Sequence, residues 1–228
     1  MREIVNDAFR DAAGDYFWLL NRNYPQRLVY KIVCDRYKLN TLQRVILYRG
    51  IFPAEIAALR LEKRIEDPKG YHLWIDVFNV LFKISSYLSG RPVFICNDGL
   101  LRDAGDAFEK QVPAAILERS VNLMLSFLRN ETPQTARFLI DQPVDNSSLV
   151  EEMIRRQIMY LACPAELNSL YPADKLMSES RNVLLATADS EIIDRSGCLY
   201  YDLAFKILQR EFSPAFLSFP KILAEVNS

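Results

Sequence analysis

Three short apolar runs in this sequence lead into an aspartate. Leu73-Trp74-Ile75 runs into Asp76, Arg137-Phe138-Leu139-Ile140 into Asp141, and Val183-Leu184-Leu185-Ala186 reaches Asp189 three residues later. Runs this short and this continuously apolar suit strands buried on both faces of a sheet. Amphipathic stretches separate them. Residues 113–129 place Ala115, Ile116, Val121, Met124, Leu125 and Leu128 at helical spacing, and Ser147 or Ser148 caps a further helix that turns Leu149, Met153, Ile154, Ile158 and Leu161 inward. Buried strands separated by helices need crossover connections, so the pattern predicts an α/β fold with a mostly parallel sheet. A fourth run, Val93-Phe94-Ile95, follows Leu88-Ser89-Gly90 closely and reads as an added hairpin or an edge strand.

The first third has a different texture. Ile4, Val5, Ala8, Phe9, Ala12, Ala13, Tyr16, Phe17 and Leu20 fall on one face of a helix ending near Asn21. Pro25 opens a second helix with Leu28, Val29, Ile32 and Val33 inward. Asn40 or Thr41 caps a third, with Leu42, Val45 and Ile46 buried and Gly50 just past its end; Pro53 starts a fourth through Ile56, Ala57 and Leu61. Glu66-Asp67-Pro68-Lys69-Gly70 then breaks the pattern. The expected organisation is a small helical domain over residues 1–68 and an α/β domain over residues 70–228.

With 50% hydrophobic and 25% charged residues, the composition excludes a disordered chain and a coiled coil. The whole chain carries a charge of −1, yet the split is uneven: residues 1–69 hold 13 Lys and Arg against 9 Asp and Glu, while residues 70–228 hold 15 against 20. Arg22, Arg27, Lys31, Arg36, Lys38, Arg44 and Arg49 are opposed over their interval only by Asp35. These cations are either a solvated face or a surface for phosphates. The four cysteines, Cys34, Cys96, Cys163 and Cys198, form no Cys-x-x-Cys pair, and His72 is the only histidine, so a zinc site is not expected and the thiols suit a reducing cytoplasm. No run approaches the roughly 18 apolar residues of a membrane span.

Asp76, Asp141 and Asp189 carry the chemical argument, with Asp194 five residues beyond the last. Residues at the carboxyl ends of neighbouring parallel strands converge on one crevice. Carboxylates gathered there repel one another and raise one another's pKa unless a cation neutralises them, and a hard ion such as Mg²⁺ or Mn²⁺ takes oxygen ligands. The structural alternative is that each aspartate caps the helix that follows its strand. No Gly-rich phosphate loop exists, Phe78 stands where a haloacid-type phosphatase has its second aspartate, and a Cys-His or Ser-His nucleophile would have to use His72, a residue of the strand edge.

Ile75-Asp76-Val77-Phe78-Asn79-Val80 resembles the first strand and turn of PIN-like nuclease domains, especially the NYN branch with its Asp-x-x-Asn turn. Phe138-Leu139-Ile140-Asp141 resembles their central strand acid, and Leu185-Ala186-Thr187-Ala188-Asp189-Ser190 their late Thr/Ser-x-Asp strand end, with Asp194 in place of a trailing acid. This resemblance covers residues 70–205. The turn departs from the NYN pattern in having Val77-Phe78 where Gly and an aromatic residue are usual. The helical acid of these nucleases falls, by order along the chain, on Asp174 or Glu179. The whole chain also resembles uncharacterised prokaryotic proteins that join a short helical domain of unknown function to a PIN-like domain; Asp98-Gly99-Leu100-Leu101-Arg102-Asp103 and residues 189–194 look like theirs.

The resemblance implies a three-layer α/β/α domain that hydrolyses phosphodiester bonds, of RNA rather than DNA, with Mg²⁺ or Mn²⁺. It implies Asp76, Asp141, Asp189 and Asp194 as catalytic and metal-binding, Asp174 as a further ligand, and Asn79, Thr187 and Ser190 as supporting or substrate contacts. Asp98 and Arg102 enter through the two-part family, although Asn97-Asp98-Gly99 is also a plain turn sequence. Arg27, Lys31, Arg44 and Arg49 are the candidate nucleic-acid contacts. The alternative is a scaffold without catalysis that binds nucleic acid or protein through the helical domain, where residues 25–49 form a helix-turn-helix-like pair with Arg44 and Arg49 on its second helix. The C-terminal residues 212–228 pack on the core, dock on the helices or join two copies as a homodimer. No membrane partner is expected.

Overall fold

The structure, a computed structural model, describes residues 4–107, 112–141, 144–170 and 172–226. In chain order the helices are α1 (Asp7–Leu20), α2 (Gln26–Arg36), α3 (Thr41–Gly50), α4 (Ala54–Glu62), α5 (Val77–Leu88), α6 (Ala114–Leu128), α7 (Ser147–Gln157), α8 (Ala173–Glu179), α9 (Ser190–Arg195), α10 (Leu203–Phe212) and α11 (Phe219–Val226). The strands are β1 (His72–Asp76), β2 (Val93–Ile95), β3 (Leu101–Asp103), β4 (Thr135–Asp141), β5 (Ala165–Leu170), β6 (Leu184–Ala186), β7 (Leu199–Tyr200) and β8 (Leu217–Ser218). The elements divide into two units. One gathers the described residues of 1–62, 90–110 and 215–228, the other those of 63–89 and 111–214.

The helical unit is built by capping and one apolar stripe per helix. Asn6 accepts the Phe9 N–H at 2.9 Å to start α1, which buries Phe9, Ala12, Ala13, Tyr16 and Leu20. At the start of α3 the Asn40 side chain accepts the Gln43 N–H and the Gln43 side chain accepts the Asn40 N–H, a capping box. On α2 the structure corrects the pattern. It buries Val29, Val33 and Cys34, while Leu28 and Ile32 are 60% and 62% exposed. An 11-residue helix packed along one narrow stripe cannot turn four neighbouring apolar positions inward. Core volume comes instead from the end of the chain, where Phe219, Ile222 and Leu223 of α11 join the same cluster of buried residues. The run Val93-Phe94-Ile95 is the hairpin strand of its reading: β2 pairs antiparallel with β3 and, on its other edge, parallel with β8. Residues 90–107 and 215–226 therefore belong with the helices, so the units do not follow a single cut in the sequence.

Gly50 closes α3 rather than following it, and its role is close approach. A Cβ there would lie 1.9 Å from the Phe219 ring, which itself packs against Phe9 and Phe94 at 6.1 and 6.0 Å between centroids. Gly50→Ala is expected to destabilise the unit by about 1–3 kcal/mol, the usual cost of overpacking a filled core. An unchanged urea midpoint would mean that Phe219 yields without cost.

The α/β unit has the expected class. Its five strands are all parallel, in the order β5-β4-β1-β6-β7, and helices flank the sheet in a three-layer α/β/α arrangement. From central β1 the chain fills one side with β4 and β5, then crosses to place β6 and β7 on the other. Leu73, Ile75, Ala136, Phe138 and Ile140 are buried on one face of the sheet. The other face is more polar toward the sheet's β5 edge, where Arg137 of β4 pairs with Glu166 and Asn168 of β5 at 2.8 and 2.7 Å. His72 opens β1 and shares a 2.9 Å hydrogen bond with Thr135. Among the described residues no helix is long and apolar enough to cross a membrane.

Candidate functional site

Because β1 lies between β4 and β6, the carboxyl ends of these three strands bring Asp76, Asp141 and the β6–α9 turn together on one edge of the sheet. The strand order reverses between β1 and β6, and a crevice opens at such a point because the connections leave in opposite directions. Asp76 sits at it. Its Oδ1 accepts the Asn79 N–H at 3.3 Å, capping α5, and its Oδ2 accepts the Thr187 hydroxyl at 2.8 Å. Thr187 Oγ1 in turn accepts the Asp189 N–H at 3.1 Å. Asp189 Oδ1 accepts the N–H groups of Glu191 and Ile192 at 2.7 and 3.3 Å, capping α9. Asp141 Oδ1 accepts the Ala173 N–H at 3.1 Å, tying the end of β4 to the start of α8.

Asp174, in the first turn of α8, has no hydrogen bond or ion pair among the described residues, and neither has Glu179 at the end of that helix. Asp174 faces a cleft of about 690 Å³, lined also by Asp189, Glu179 and Glu191 and by the cations Lys175, Arg181 and Arg195. Burial raises the Asp174 pKa, and the charges of Asp141, Asp189 and Glu191 raise it further. Burial also pushes the Asp76 carboxyl up, to about 6; Asp174 adds to this, while the Thr187 hydroxyl and the Lys83 ammonium oppose it. The carboxylates thus share one field. An all-oxygen donor set of like charges suits a hard divalent cation, whose binding would relieve the repulsion. Among the described residues, however, no three His, Cys, Asp or Glu side chains are gathered in an arrangement that could hold a metal ion.

The remaining candidates fall elsewhere. Asp194 is exposed on α9 and does not line the cleft; Glu191, one turn earlier, does. Ser190 starts α9 and does not line the cleft either. Asp98 and Arg102 lie in the helical unit, where Asp98 is sealed from solvent and bonded to Arg60 at 2.8 Å and to both terminal nitrogens of Arg102 at 2.8 and 2.9 Å. Arg44 staples α2 to α3, donating to the Cys34 and Leu39 carbonyls and pairing with Asp35 at 2.9 Å. Arg49 lies 3.8 Å from Asp103. Arg27 and Lys31 stay exposed on α2. Sequence reasoning did not single out Glu191 or Lys83. A lysine in the otherwise apolar run Val80-Leu81-Phe82-Lys83-Ile84 was the signal available for the second.

Comparison with known proteins divides the chain near residue 64, where the first segment of the helical unit ends, and keeps residues 90–107 with the α/β part. The model described as Protein of unknown function (DUF434) matches residues 8–63, and the one described as Domain of unknown function (DUF5616) matches residues 65–204. Uncharacterized protein MJ0935 of Methanocaldococcus jannaschii is 25% identical over 191 residues, which cover 83% of this chain and 90% of that protein. No solved structure matches. These descriptions name no activity. With its larger match covering residues 65–204, the chain belongs to the family described as Domain of unknown function (DUF5616), preceded by a DUF434 segment.

Proposed function

We propose that the α/β unit is a metal-dependent nuclease of the PIN-like kind, hydrolysing phosphodiester bonds of RNA with Mg²⁺ or Mn²⁺. The observation that carries this reading is the mutual field of strand-end and helical acids at the point where the strand order reverses: Asp141, Asp189 and the α9 residue Glu191 act on Asp174 of α8, which shares the cleft with Asp189 and Glu191, and Asp174 acts on Asp76. Helix capping explains why Asp76 and Asp189 stand where they do. It does not explain why Asp174, which caps nothing, faces the cleft that Asp189 lines. Asp76, Asp141, Asp174 and Asp189, which are not gathered into a ligand set among the described residues, would have to draw together to hold the ion, which when bound would lower the pKa of a water and offset charge on the scissile phosphate. Thr187 and the Asn79 N–H fix both oxygens of Asp76, so that carboxylate is held in one orientation. Lys175, Arg181 and Arg195 on the cleft wall would offset the charge of an incoming phosphate chain, and Arg27 and Lys31 on the helical unit would add non-specific attraction.

A scaffold without catalysis is favoured by a different observation: Asp76, Asp141 and Asp189 already accept backbone N–H groups, and no ready set of three ligands exists among the described residues. Calorimetry with Mn²⁺ separates the two. The nuclease reading expects stoichiometric binding by the wild type, its loss in Asp174→Asn, and Mn²⁺-dependent cleavage of single-stranded RNA that disappears with it. Absence of binding by the folded wild type, with and without RNA, would leave the scaffold.

A further inference from the structure

Lys83 is a buried cation that the proposed hydrolysis does not use. It is 5% exposed on α5, a helix whose neighbouring positions Val80, Leu81 and Ile84 are core residues. Burying an ammonium group is costly unless hydrogen bonds compensate, so its place needs a cause. One turn earlier on the same helix is Asn79. Lys83 Nζ donates to the Asn79 main-chain oxygen at 2.7 Å and to its side-chain Oδ1. The same Oδ1 accepts the Ala188 N–H at 2.9 Å, across the crevice from β1 to the β6–α9 turn.

Two donors on one amide oxygen decide the orientation of the amide. A flipped Asn79 would set its NH₂ against an ammonium and a backbone N–H, three donors with no acceptor between them. With Oδ1 held inward, Nδ2 is left as a donor. It makes no hydrogen bond among the described residues and is not sealed in the interior. The residue stands three positions after Asp76, whose Oδ1 its backbone N–H caps.

We propose that Lys83 is a positioning residue: by fixing the Asn79 amide it presents Nδ2 as a hydrogen-bond donor to a non-bridging phosphate oxygen of the substrate, beside Asp76. This rests on the nuclease reading above for the identity of the substrate. An acid-rich crevice repels a phosphate, and a fixed neutral donor backed by a buried cation gives the anion one oriented contact that the carboxylates cannot. Bonds from donors to charged oxygens are the stronger kind.

The test follows the Asn79 side-chain NH₂ resonances by ¹⁵N–¹H NMR while inorganic phosphate, then a short oligouridylate in EDTA, is added. In the wild type these resonances are expected to shift with both probes. Lys83→Met removes the charge while keeping an unbranched side chain, and is expected to abolish the shift and to lower kcat/KM for RNA by about tenfold or more, the loss of one charge-assisted hydrogen bond. Asn79→Asp guards against a folding defect, because it keeps an acceptor for Lys83 and Ala188; it removes the Nδ2 donor and adds a negative charge beside the Lys83 ammonium. It is expected to melt near the wild type yet lose the phosphate response at the Ala188 amide. Wild-type NH₂ resonances indifferent to both probes, or Lys83→Met with unchanged kcat, KM and phosphate response, would overturn the proposal while leaving RNA cleavage intact. A Lys83-dependent phosphate response without any Mn²⁺-dependent cleavage would retire the nuclease reading and keep the positioning role.

Discussion

Asp98→Asn should cost the helical unit about 3–5 kcal/mol, the usual penalty for leaving buried charge without its partner. The reason is the charge count. Two buried guanidiniums, Arg60 and Arg102, share one carboxylate, and both also stand over the Phe52 ring, 4.3 and 4.8 Å from its centroid. Burial alone would raise the Asp98 pKa, but the guanidiniums outweigh it and hold the carboxyl below the ordinary range. Removing Asp98 takes away the carboxylate that both buried guanidiniums share. Removing Arg60 leaves a bidentate Asp98–Arg102 pair that is neutral. Arg60→Met is therefore expected to be clearly milder than Asp98→Asn when both are unfolded in urea. Equal losses, or the reverse order, would mean that packing of the Arg60 stem matters more than charge. The depressed pKa also fixes a sign: this stabilisation is present above the unfolded aspartate pKa, near 4, and is lost as pH falls through the lower folded value.

That triad marks a limit of sequence reading. Asn97-Asp98-Gly99 satisfies the rules for a turn, and Gly99 does take a positive φ of 77°. Nothing in the local pattern says that Arg60, on α4, will arrive at the same carboxylate, because the approach is set by tertiary packing. The strands show the opposite case. β1, β4 and β6 were legible because each is buried and apolar, and their terminal aspartates had to land on one edge once the sheet was parallel. β5, Ala165–Leu170, escaped notice since it is an edge strand whose Glu166 and Asn168 face Arg137, giving no apolar run to read. β7 and β8 have two residues each, too short to signal.

The candidate site divides in the same way, although of its acids only Asp174, Glu179, Asp189 and Glu191 line the cleft. Asp76, Asp141 and Asp189 follow from strand ends, and Asp174 from its order in the chain. Glu191 against Asp194 turns on which face of the short helix α9 meets the cleft, a matter of helical phase that six residues do not fix. The basic interval 22–49 misled for a related reason: cations close in sequence looked like one surface. Arg44 is spent on the carbonyls at the end of α2 and on Asp35, and Arg49 approaches Asp103, which leaves Arg27 and Lys31 together on the exposed side of α2.

Asp76→Asn should make the metal-free protein more stable at neutral pH while removing the activity proposed for it. The folded protein holds the Asp76 carboxyl at about 6, above its ordinary 3.8. The native state therefore keeps a proton that the unfolded chain has given up, and stability falls as pH rises between those values. Below pH 4 both states are protonated and the residue is neutral in its effect. Above pH 6 both are ionised and the full penalty stands, on the order of 3 kcal/mol for a shift of this size. Asparagine escapes the penalty: its Oδ1 still accepts the Asn79 N–H, since it caps helices about as well as aspartate, while its Nδ2 takes the place of Oδ2 and donates to the Thr187 hydroxyl oxygen. The melting temperature of the variant in EDTA should match the wild type near pH 4 and exceed it by several degrees at pH 7. Adding Mn²⁺ should reverse the order, because the ion supplies to the wild-type carboxylates the charge that the fold withholds. A difference that stays flat from pH 4 to 7 would mean that Asp76 ionises without strain and is a helix cap alone.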